Sequence, residues 1–143
     1  RIPKIIIVEP ESADCVLQSI ENGSIKKIDI KKESIMGGMS CGEVSLVPWK
    51  ILKKSVDLCL SIGDDQIAKT IAMLANNKFA DEKIIGGECS APGVISLIAS
   101  CNNNDVKNKL DINMNSNILL IGCEGNADEN LYNKLLSEGI NQI

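Results

Sequence analysis

No histidine occurs among the 143 residues. A Ser-His-Asp or Cys-His nucleophilic mechanism therefore cannot be assembled from this chain alone. Any acid–base chemistry falls to a lysine, a carboxylate or a bound cofactor. Aromatics are almost as scarce: Trp49, Phe79 and Tyr132 make up 2% of the chain, and the net charge is −4. Readers of RNA or DNA interleave basic patches with aromatic platforms, so nucleic acid is not an expected partner. No apolar run approaches the roughly 18 residues of a membrane-spanning helix. Runs such as Ile5 to Val8 and Ile118 to Ile121 are of strand length, and no membrane partner is expected. A phosphate-binding Gly-x-x-x-x-Gly-Lys loop is missing too.

Six cysteines are present, Cys15, Cys41, Cys59, Cys89, Cys101 and Cys123, and none is spaced Cys-x-x-Cys. Without close ligand pairs or histidine, a structural zinc site is not expected. No secretory signal precedes Lys4, so reduced thiols in a cytosolic protein are the expectation. Cys59 and Cys101 read as small buried hydrophobes. The chain opens on Arg1 rather than methionine, which hints at a native polypeptide beginning further upstream. Its length suits one domain with a real core, and its 44% apolar content is ordinary for a globular protein.

Strand and helix patterns alternate. "KIIIV" (Lys4 to Val8) is a β-branched run expected to be a strand buried on both faces, ending at Glu9-Pro10. Ser12 or Asp14 can cap a helix that Asn22-Gly23 closes. "IKKIDI" (Ile25 to Ile30) alternates and predicts a half-exposed strand. Pro48 opens a helix running to about Ser55, and "DLCLSI" (Asp57 to Ile62) predicts another strand. Asp64 then caps a helix whose Ile67, Ile71 and Leu74 share a face with Ala68, Ala72 and Ala75 beside it. A small-residue helix follows from Pro92, then an asparagine-rich connection and the strand "NILLIGC" (Asn117 to Cys123). The last helix is expected from Asn126, whose spacing to Glu129 suits a capping box, with Leu131 and Leu135 as its stripe and Gly139 as its end. This alternation predicts an α/β fold of three layers, a mainly parallel sheet with helices on both faces. In such sheets ligands sit beyond the carboxyl ends of strands.

Four corners invite chemistry. In "IGCEGNADE", Asp128 and Glu129 would repel a phosphate at the helix start, so a neutral hydrogen-bonding group beside Cys123 fits better. "GGECSAPGV" sets Glu88 between glycines and a helix start, as a cap or as an acid aimed at a ligand. In "IMGGMSCGE", Gly37-Gly38 lets backbone pass close to a ligand, or forms a flexible loop. "VEPESADC" carries Glu9, Glu11 and Asp14, which suit a helix cap or hard-metal ligation. Taken singly, each corner reads most simply as a turn, a loop or a cap.

Their order along the chain is more telling. "VEP.SADC", "IMGGMSCGE", "GGECSAPGV" and "CEGNAD" resemble the carboxyl-terminal part of the diaminopropionate ammonia-lyases, members of the tryptophan-synthase-beta-like, fold type II group of pyridoxal-phosphate enzymes. The likeness runs from about Lys4 to Gly139. It implies pyridoxal phosphate as cofactor, a small amino-acid substrate, and α,β-elimination of 2,3-diaminopropionate to pyruvate and ammonia in a homodimer. A serine or threonine dehydratase-like substrate, or a binding module that lost the chemistry, are the alternatives. In that group the Schiff-base lysine and the glycine-rich phosphate cradle lie upstream of the matched region. Lys26, Lys31, Lys53 and Lys69 are accordingly given no catalytic role, and the 143 residues, about the last third of such an enzyme, are expected to be inactive alone. Loss of upstream strands would also leave a sheet edge open to pairing.

Carried over by position, the resemblance implies that Gly38 and Met39 pass beside the cofactor ring and that Glu88 lies near the ring and its phenolic oxygen. Cys123 falls where relatives place a Ser, Thr or Cys facing the pyridine nitrogen, with Gly125 completing that corner. A thiol there supplies no carboxylate charge, which favours an unprotonated ring nitrogen. Gly122-Cys123 replaces a more usual Ser-Thr pair and Pro92 a small flexible residue; a register one residue earlier would make Gly122 the nitrogen's partner, with no side chain to offer. Some relatives bind a metal through acids after the "EP" strand. Cys15 stands where an Asp would complete that set, so no metal is expected. Cys15 and Cys41 fall in the lyase-specific segments and are candidates for neighbours, as two thiols or as a disulfide.

Overall fold

The computed structural model describes residues 2–143. They form two compact units, the first ending at Asp64 and the second spanning Asp65–Ile143. The chain is α/β, and its sheet, which lies in the first unit, is parallel.

In the first unit, strand β1 (Ile5–Pro10) pairs in parallel with β2 (Val56–Ile62), with Ile6 opposite Leu58, Val8 opposite Leu60 and Pro10 opposite Ile62. Pro10 sits at the strand end, where its missing N–H costs little. Between the strands run helix α1 (Cys15–Asn22), a 3-10 turn (Gly37–Met39) and helix α2 (Leu46–Ser55). Gly23, at φ 73°, closes α1 in the left-handed conformation that glycine adopts without strain. Cys15, Val44 and Trp49 form a buried cluster, with Val16, Ile20, Ile25, Ile28 and Leu52 packed against it.

Two expectations here need correction. β1 is not buried on both faces: Ile5 is 42% exposed and Ile6 to Val8 are half-buried, because a two-stranded sheet leaves an edge beside them. Ile25 to Ile30 is not a strand. Lys26 N–H donates to Ser19 Oγ (2.9 Å) and Ile28 N–H to Gly42 O (2.9 Å), so a serine and a loop carbonyl take the place of a ladder.

The second unit holds helices α3 (Ile67–Ala75), α4 (Ala91–Asn102), α5 (Asn104–Leu110) and α6 (Glu129–Ile140), with a 3-10 turn at Glu88–Ser90. The expected face of α3 is buried through Ile67, Ala68, Ile71, Ala72 and Leu74. Gly139 is the penultimate residue of α6, as expected near its end, and a Cβ there would run into the Ala68 carbonyl of α3. The cap of α6 is Asp128, which accepts from Leu131 N–H (3.0 Å), rather than Asn126. Cys101 is exposed, not a core thiol. α5 arises inside the asparagine-rich connection because Asn103 Oδ1 accepts from both Asp105 and Val106 N–H.

Asn117 to Cys123, expected as a strand, forms no ladder among the described residues, and Leu119 and Ile121 are 84% and 78% exposed. The run has the β-branched composition of a strand and lacks a neighbour to pair with. No helix among the described residues is long and apolar enough to cross a membrane.

Candidate functional site

The four corners take definite shapes. At the end of β1, the buried Glu9 carboxylate accepts from Val16 N–H (2.9 Å) and Leu17 N–H (2.8 Å), the free donors of the first turn of α1. The helix is thus capped from the preceding strand, and neither Ser12 nor Asp14 does it: Asp14 holds the N-cap position but makes no cap bond, its carboxylate accepting from Gln18 Nε2. Cys15 Sγ lies 3.7 Å from Glu9 Oε1. Burial pushes the Glu9 carboxyl above its ordinary 4.5, outweighing the two backbone donors that favour its charged form. Burial likewise lifts the Cys15 thiol to about 11, with smaller contributions from the charges of Glu9 and Cys41, and it lifts the Cys59 thiol to about 11. Cys15 and Cys41 are near enough to interact, and both are free thiols.

The glycine-rich segment is a bonded turn rather than a slack loop. Ser34 Oγ donates to Asp64 Oδ1 (2.5 Å), Ile35 N–H to Asp64 Oδ2 (3.1 Å) and Met36 N–H to Ser34 Oγ (3.0 Å). Asp64 therefore anchors this turn and does not cap α3, whose N-cap position is Gln66. Fully buried Met36 pegs the turn, Met39 N–H bonds back to Met36 O (2.9 Å), and Gly38 and half-buried Met39 stand on it in the first unit.

In the second unit the remaining corners meet. Gly87 N–H donates to Glu124 O (3.0 Å) and Cys89 N–H to Glu124 Oε2 (2.9 Å). Ser90 Oγ donates to Glu124 O (2.6 Å) and accepts from Glu124 N–H (3.2 Å). Glu88 is half-buried, and donor atoms of Glu88, Cys89 and Glu124 lie within 4.8 Å of one another. The approach is close enough that a Cβ on Gly87 would collide with the Gly125 carbonyl. A Cβ on Gly122 would sit 3.1 Å from Ser90 Oγ, so position 122 points into the contact. Cys123 is exposed, and nothing lies within 4 Å of a Cβ on Gly125. The structure thus brings Glu88, Cys123 and Gly125 into one double corner. Glu124 and Ser90, which tie it together, were not singled out in the sequence; the only signal for Glu124 was a carboxylate lodged between Cys123 and a glycine.

Chemically, the double corner offers an exposed thiol and a half-buried carboxylate beside open backbone. A phosphate placed directly against this corner would be repelled by Glu88 and Glu124.

Comparison with known proteins gives three findings. The family model for pyridoxal-phosphate dependent enzymes matches residues 1–124. The diaminopropionate ammonia-lyase of Salmonella typhimurium is 31% identical over 145 residues, covering 97% of this chain and 36% of that protein. Crystal structures of diaminopropionate ammonia lyase from Escherichia coli superpose closely. The complex with D-serine has a TM-score of 0.82 at 32% identity, over 95% of this chain and 34% of that one. The complex with an aminoacrylate-PLP azomethine reaction intermediate has a TM-score of 0.80 at 33% identity, over 94% and 34%. The chain spans about a third of the length of these relatives.

Proposed function

Because the chain belongs to the pyridoxal-phosphate dependent enzyme family, we propose that it is the carboxyl-terminal third of a lyase that eliminates ammonia from 2,3-diaminopropionate to give pyruvate. What carries this reading is the likeness of nearly the whole chain to diaminopropionate ammonia-lyases; the double corner in which Ser90 and Glu124 join the Glu88 turn to the Cys123 turn is the site it assigns to the cofactor. Pyridoxal phosphate, when bound, supplies the electron sink that stabilises charge at the substrate's α-carbon.

The chain's own residues orient that sink. The Cys123 thiol would face the ring nitrogen; position 123 rather than 122 is favoured because the Cβ direction at 122 is turned into Ser90. A thiol there would give the nitrogen no carboxylate charge to stabilise a proton, which suits elimination over transamination. Glu88 would stand toward the phenolic oxygen and Gly125 would leave room for the ring. Gly38 and Met39, on the turn of the first unit, are carried as cofactor contacts by the family resemblance. The Glu9 carboxylate serves α1, accepting from its first turn, and the reading includes no metal. The Schiff-base lysine comes from polypeptide outside these residues, so the 143 residues alone turn over no substrate. The reading includes a homodimer in the cytosol, a compartment that suits free thiols.

The test is pyruvate release from 2,3-diaminopropionate by the full natural polypeptide supplied with pyridoxal phosphate. Release that serine and threonine do not match is the expected result. No release alongside a normal cofactor absorbance band would move the substrate to another amino acid.

A further inference from the structure

Residues 117–125 belong to no helix or strand, so no ladder fixes the place of Cys123. What holds it are bonds to Glu124 from Gly87 N–H and from Ser90. Its hydroxyl both donates to and accepts from the backbone of Glu124, a residue 34 positions away. The same hydroxyl lies against Gly122, where a Cβ would come within 3.1 Å of it. Cys123 is flanked by these two residues, and so is held by its neighbours on both sides. In return, Glu124 Oε2 accepts from Cys89 N–H at the start of the turn that leads into α4. The clasp is reciprocal: serine holds the corner, and the corner's carboxylate holds the serine's turn.

We propose that Ser90 is a positioning residue of the cofactor site, setting the distance between the Cys123 thiol and the cofactor ring through its two bonds to Glu124. The inference rests on the reading of the double corner as a pyridoxal-phosphate site. A serine suits the role because only a hydroxyl donates and accepts through one atom at this range. Ser90 itself does not touch the cofactor; its effect passes through residue 123.

The experiment uses the full natural polypeptide and two readouts: the dissociation constant for pyridoxal phosphate from absorbance titration, and the rate of Cys123 alkylation with and without the cofactor, followed by peptide mass spectrometry. In the wild type, cofactor slows alkylation of Cys123. Ser90→Ala is expected to weaken cofactor binding on the order of tenfold, as loss of a hydrogen-bonded clasp should, and to abolish most of that protection. Ser90→Thr, which keeps the hydroxyl, is expected to restore both. If Ser90→Ala loses the fold, Ser90→Cys takes its place, since it keeps the volume and gives up the strong hydrogen bonds. Wild-type affinity and protection in the hydroxyl-free variant would overturn the proposal, as would an equal loss in Ser90→Thr. Absence of cofactor binding or Cys123 protection in the wild type would instead overturn the site reading, and the proposal with it.

Discussion

Glu9 shows how one side chain can serve a neighbouring element while opposing its own burial. Removing it by Glu9→Ala leaves the first-turn donors of Val16 and Leu17 without their acceptor in a part-buried setting. A loss of about 1–3 kcal/mol is expected in urea unfolding. Its raised folded pKa also sets a pH trend. A group of this kind contributes stability fully below its unfolded value, and that contribution is lost as pH rises through the folded value. The stability difference between wild type and Glu9→Gln should therefore shrink from pH 4 to pH 8, and a flat difference would refute the burial argument. Thiols give a second check. With pKa values of about 11, Cys15 and Cys59 are ionised to about 0.1% at pH 8. Iodoacetamide should label exposed Cys41, Cys101 and Cys123 in the native state and reach Cys15 and Cys59 only after unfolding. That one of Glu9, Glu11 and Asp14 would serve α1 was readable in the acids of "VEPESADC". Which of them does so was not, because the choice depends on β1 delivering a carboxylate over the helix axis.

Elements whose apolar residues recur at their own period could be read directly. The Ile67, Ile71 and Leu74 face of α3 is one case, and the apolar runs of β1 and β2 are another. Ile25 to Ile30 and Asn117 to Cys123 have strand composition but no pairing, because a ladder needs a partner that local sequence does not specify. α5 was hidden for the opposite reason: asparagines that signal a loop also cap a short helix. Gly139 illustrates a residue whose place near a helix end was legible and whose packing role was not. Glycine there suggests a stop, and here it also lets α6 approach the Ala68 carbonyl and Ala72 of α3. Gly139→Ala improves helix propensity by up to about 1 kcal/mol. Forcing the two helices apart costs about 1–3 kcal/mol. The net expectation is a lowered denaturation midpoint, and a raised one would show that the α3–α6 contact yields easily.

For the chain taken whole, the apolar segment Ile118 to Ile121 is the feature that most needs a neighbour. Its exposed side chains and unladdered backbone carry the two properties that make a strand edge associate. Relatives matched over nearly all of this chain are about three times its length, so under the proposed function the segment is covered by further polypeptide. The two settings predict opposite signs for one change. In the 143 residues alone, Leu119→Lys with Ile121→Lys should reduce self-association, seen in sedimentation velocity as loss of concentration-dependent species. In the full natural polypeptide the same pair would place two ammonium groups where apolar burial is required, at several kcal/mol before relaxation, and thermal stability should fall. Improved behaviour in both settings would mean that the segment stays on the surface of the complete protein and that its apolar character serves a contact outside the sheet.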